Sequence, residues 1–184
     1  MLTPDFVNCR CDNFCADMSD TTETEQLNAV QYLHLRELSE PRDNSLRIVV
    51  EEAVVNHSGL IKPELLELPE LALLREGASP IESVLGCKLF ELYWNRYAAY
   101  LVTEELVGSN AKNGYDDERY SGRLLRVYSQ SHFLAHIAMD TGGHIEQLQH
   151  YKLVCLNHLI DIAAYAPPEV RLLVSAPETQ DRMQ

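Results

Sequence analysis

The chain has 184 residues, 46% of them hydrophobic, which suits one domain with a sizeable core. Its 28 Asp and Glu against 15 Lys and Arg give a formal charge of -13. With no cluster of Lys or Arg, a nucleic-acid surface and a surface for anionic lipid are both disfavoured. No run approaches the roughly 18 apolar residues of a membrane-spanning helix.

The opening, MLTPDFVNCRCDNF, carries an acid at Asp5 and no basic stretch ahead of an apolar run, so a secretory signal is not expected and the default address is cytoplasmic. Residues 1–23 read as a flexible acidic segment, 24–174 as one domain and 175–184 as a frayed tail. Of the five cysteines, Cys87 and Cys155 sit in apolar runs and are expected to pack as small hydrophobes. Cys9, Cys11 and Cys15 have zinc-binding atoms, but their spacing lacks paired knuckles, and a free thiol cluster is expected.

Thr22 and Glu25 have capping-box spacing, and Leu27, Val30, Leu33 and Leu38 follow at helical intervals, predicting a helix over 24–38 that Pro41 stops. Leu46 to Val55 is β-branched and predicts a strand, with Leu46, Ile48, Val50 and Val54 on one face. Pro63 and Pro69 break 60–76 into short pieces. The aromatic run 87–102 counts equally well as strand or helix. Its Phe90, Tyr93, Trp94, Tyr97 and Tyr100 tilt the reading to a long strand with Phe90, Leu92 and Trp94 on one face.

Residues 108–122 read as a loop with a tight turn at Asn113-Gly114, and 123–129 as a strand. Ser129 or Ser131 then caps a helix that Gly142-Gly143 ends. Residues 150–164 alternate as a strand bent near Asn157, and 170–174 give a last short strand. The expected fold is α+β: a single domain with a mixed or antiparallel curved sheet of about five strands, packed against two or three helices.

No Gly-x-Gly-x-x-Gly, Walker loop, His-Glu-x-x-His or nucleophile elbow is present, so no catalytic residue is assigned. Ser129, His158 and Asp161 can be written as a triad, but nothing in the sequence fixes their geometry. His132 and His136 share a helical face without the glutamate of a zincin, and no metal or cofactor is expected. A ligand site is read at the 126–136 junction, where Arg126, Tyr128, Ser131 and His132 surround a helix start able to hold an anion.

The leading functional reading is a protein-interaction domain, in the style of an acidic inhibitor, antitoxin or immunity protein that covers a basic partner. Tyr32, Tyr93, Tyr97, Tyr115 and Tyr120 are its candidate anchors, with Asp116, Asp117 and Glu118 supplying charge beside them. The alternatives are an anion-binding protein or modest enzyme working at the 126–136 junction, and a structural homo-oligomeric subunit such as a homodimer.

Overall fold

The computed structural model describes residues 22–56, 79–106, 117–140 and 148–173. In chain order they form α1 (Glu23–Ala29), β1 (Tyr32–Ser39), β2 (Leu46–Val55), β3 (Ile81–Glu82), β4 (Leu89–Trp94), β5 (Tyr97–Glu104), β6 (Arg119–Ser121), β7 (Leu125–Gln130), α2 (His132–Asp140), β8 (Gln149–Val154), β9 (His158–Ala164) and β10 (Glu169–Leu173). The fold is α+β and its pairing is antiparallel throughout. Its ten strands make two five-stranded sheets: β1-β2-β4-β10, with β3 on β2, and β5-β9-β8-β7-β6. No described helix is long and apolar enough to cross a membrane.

The capping box forms as predicted: the Thr22 hydroxyl accepts from the Glu25 N–H, and the Glu25 carboxylate accepts from the Thr22 N–H. The helix, however, ends at Ala29, and Tyr32–Ser39 is a strand. Leu27, Val30 and Leu33 are all buried, so the helical spacing was met by coincidence across a chain reversal. Pairing with the ten-residue β2 outweighs the helical propensity of 32–38, as tertiary context commonly does.

The 87–102 run is extended, but as two strands. Residues 95 and 96 interrupt it, and the chain leaves the first sheet at Trp94 to enter the second at Tyr97. Phe90, Leu92 and Trp94 face the core together, as their alternation required. Residues 150–164 likewise fold as two strands: the bend near Asn157 is the turn of a β8-β9 hairpin. The predicted short pieces of 60–76, the Asn113-Gly114 turn, the three N-terminal cysteines and the two flanking segments lie outside the described residues, except that Thr22 and Glu23, read as part of the flexible segment, cap and open α1.

One apolar core joins the two sheets. Leu46, Ile48, Val50, Phe90, Leu92 and Trp94 come from the first, Leu125, Tyr151, Leu153, Ile160 and Ile162 from the second. The Trp94 and Tyr151 rings meet across it, 6.0 Å between centroids. At one end α1 inserts Leu27, and Val30 follows it into the core from just past the helix end. The Asn28 carboxamide oxygen accepts from three successive backbone N–H groups, those of Arg123, Leu124 and Leu125, at 2.9, 2.8 and 3.0 Å. That turn depends on Gly122 at φ 84, where a Cβ would collide with the Leu125 carbonyl.

The outer face of the first sheet is polar. The Arg47 guanidinium bridges Glu37 on β1 and Glu91 on β4, an ordinary cross-strand ion-pair ladder. The outer face of the second sheet differs. Register places Arg126, Lys152, Asp161 and Leu101 in one row across β7, β8, β9 and β5, and Tyr120, Tyr128, His150 and Ala163 in the next. Helix α2 packs over this second row, with the Phe133 ring 5.1 Å from that of His150.

Candidate functional site

Beneath α2 lies a chain of polar groups, buried at its centre and half-buried at Ser131 and Lys152. The Ser131 hydroxyl is 2.7 Å from His150 Nδ1, and His150 Nε2 is 2.9 Å from the Asp161 carboxylate. Lys152 Nζ reaches the same Asp161 oxygen at 3.1 Å. His150 is only 1% exposed, stacked on Tyr128 with centroids 4.2 Å apart. A proton on Nε2 lets His150 donate to Asp161 while the Ser131 hydroxyl donates to Nδ1, satisfying every member. Burial pushes the Asp161 carboxyl up, but the His150 hydrogen bond and the Lys152 charge outweigh it and hold it below its ordinary value.

Hydroxyl, imidazole and carboxylate in series are also the parts of a hydrolase relay. Here, though, the hydroxyl has a second task. Ser131 caps α2, its Oγ accepting from the Leu134 N–H at 3.1 Å. Helix residue Phe133 covers the imidazole, and the groove on this face is lined by neither Ser131 nor His150. The arrangement fastens α2 to the sheet. Replacing Ser131 with Ala removes both the cap and the Nδ1 partner. The expected loss is about 1–2 kcal/mol in urea unfolding, with faster amide exchange in α2 than elsewhere.

The predicted ligand residues come together only in part. Tyr128 is buried against His150, and Ser131 and its neighbour His132 stand at the start of α2. His132 Nε2 is 2.6 Å from Asp117, and the His132 N–H donates to Glu118 at 2.8 Å. The side-chain hydrogen bond between His132 and Asp117 raises the His132 pKa and lowers that of Asp117. Two of the helix-start donors counted on for an anion, the His132 and Leu134 N–H groups, are therefore taken up internally, by Glu118 and Ser131. Arg126 meets Tyr128 but not the helix start: its guanidinium lies 4.5 Å over the Tyr120 ring, its Nε donates to the Arg123 carbonyl, and the Tyr128 hydroxyl is a further partner. Of the triad residues, Ser129 bonds the Arg119 carbonyl, and Asp161 joins His150 rather than His158. Among the described residues no group of three or more His, Cys, Asp or Glu is placed to hold a metal, His132 and His136 included.

The predicted anchors are scattered as well. Tyr93 is on the outer face of the first sheet, with its hydroxyl buried. Tyr32 opens β1 and lines a groove described below. Tyr97 is half-buried on β5, and its phenol is pushed up to about 12, first by burial and then by Glu40. Tyr120 is exposed on β6, at the opposite edge of the sheet from β5 and about 19 Å away at normal strand spacing. Tyr115 and Asp116 lie outside the described residues. Asp117 and Glu118 spend hydrogen bonds on α2.

Two features escaped sequence reading. His150 was legible only as one histidine among seven, because its partners lie 19 and 11 residues away. The other is the edge of β5. Among the described residues no strand pairs with its outer side, and Leu101 and Val102 on it are 51% and 38% exposed. Leu106, just beyond, is 65% exposed. From Tyr97 to Glu104 the sequence YAAYLVTE holds one charge, and that an acid. Edge strands are ordinarily blunted by Lys, Pro or a bulge. β5 has a bulge only at its start, between Tyr97 and Ala99.

No protein-family model, no curated protein and no solved structure matches the chain.

Proposed function

We propose that this chain is a protein-interaction domain that takes a strand of its partner along β5. The supporting observation is the nearly uncharged edge from Tyr97 to Glu104, unpaired among the described residues, with Leu101 and Val102 exposed. Strand addition would use the backbone donors and acceptors of that edge for affinity, and the alternating side chains for selectivity. The net charge of -13, with Glu104 and Glu105 at the end of the strand, favours a basic partner and speeds its encounter. An inhibitor, antitoxin or immunity-like role fits this chemistry, with the acidic domain covering a basic protein.

The test is capture of a basic partner from the source cell's extract, with Leu101→Lys beside wild type and Glu169→Lys on the other sheet as a charge control. Leu101→Lys is expected to lose the partner and Glu169→Lys to keep it. Equal capture by Leu101→Lys and wild type sinks the reading. Concentration-dependent dimers of the purified chain, abolished by Leu101→Lys, would replace it with the homo-oligomeric one.

A further inference from the structure

A groove of about 330 Å3 runs over the outer face of the second sheet, away from the Ser131-His150 chain. That volume falls within the range of small-ligand pockets, about 300–1,000 Å3. Its apolar lining comes from Leu33, Val154, Leu156 and Leu159. Two cations, Arg126 and Lys152, line it too, side by side because they are register partners on β7 and β8.

The charges in the groove are not equivalent. Lys152 is paired with Asp161. Arg126 has neutral partners among the described residues: the Tyr120 ring, the Arg123 carbonyl and the Tyr128 hydroxyl. On the first sheet, by contrast, Arg36, Arg47 and Arg171 each pair with a carboxylate. Among the described residues no carboxylate forms an ion pair with the Arg126 guanidinium, which lines an apolar groove and is set up for an incoming anion. Glu105 also lines the groove and would repel a second negative group.

From this geometry we infer that the groove binds a small monocarboxylate with an apolar body, its carboxylate on Arg126 and its hydrocarbon over Val154 and Leu159. The site meets the chain just past β5 at Glu105 but uses neither Leu101 nor the strand's open edge, and its test is independent of partner capture.

The probe is octanoate, titrated into the full-length 15N-labelled protein, with octanol and inorganic phosphate as comparisons. Octanoate is expected to shift the Lys152, Val154 and Leu159 amides saturably. Arg126→Gln should weaken it about tenfold while leaving octanol unchanged. Leu159→Glu, at a half-buried position, should abolish octanoate binding with the rest of the spectrum intact. Three results would overturn the inference: no saturable shift by about 10 mM octanoate (roughly the weakest affinity of interest), phosphate binding as tightly as octanoate, or an Arg126→Gln affinity equal to wild type.

Discussion

Replacing Asp161 with Ala is expected to destabilise the domain by about 3–5 kcal/mol, a large part of the roughly 5–15 kcal/mol typical of a whole domain. The carboxylate is 7% exposed and takes both His150 and Lys152 on one oxygen. Without it, a nearly dry imidazole and an ammonium lose their shared acceptor, and the link from sheet to Ser131 to α2 is cut. Urea unfolding followed through the single tryptophan measures the loss. A cost below about 1 kcal/mol would mean that water replaces the carboxylate and the chain of groups holds nothing.

The same group sets a pH dependence. Its folded pKa is depressed, so its contribution is fully present above the unfolded value of about 3.9 and is lost as pH falls through the folded value. Wild type should therefore lose stability below about pH 4 more steeply than Asp161→Asn, which has no carboxylate to protonate there. Parallel acid profiles for the two proteins would contradict the assignment.

Replacing Trp94 with Ala should cost about 3–5 kcal/mol by a different route. Trp94 is 1% exposed and touches Tyr151 from the opposite sheet, so truncation opens a cavity between two layers that hydrogen bonds cannot close. Its indole N–H has no hydrogen-bond partner among the described residues, so Trp94→Phe gives up volume but no hydrogen bond and should cost less than the alanine. Circular dichroism in urea reports both variants, since the fluorophore is gone. Equal costs for Phe and Ala would show that ring packing across the sheets is not what Trp94 contributes.

The two sites argue differently about how the chain encodes its fold. The Trp94 face was readable, because Phe90, Leu92 and Trp94 alternate at period two and nothing in the run breaks it. What alternation could not show is that the next two residues carry the chain into another sheet. The pattern on either side is the same, and only the pairing partners differ, β2 and β10 for β4, β9 for β5. Residues 32–38 failed for a related reason. Leu27, Val30 and Leu33 fit a helix locally, but long-range pairing with β2 determined the strand.

Ser129 and Ser131 were the two candidate helix caps, and Ser131 is the cap. Arg126 was read as part of an anion site at the 126–136 junction, and it lines a groove, though not beside Ser131 and His132. Composition and local pattern by themselves determined the α+β class, the capping box at Thr22, the strand at 46–55 and the helix after Ser131, because each rests on neighbours within a few residues. The tertiary structure alone decided the division into two sheets, the Ser131-His150-Asp161 connection, the open edge of β5 and the pairing of Arg126 with Lys152. Each of these depends on strand register, which brings together residues far apart in sequence and sets the face on which each side chain stands.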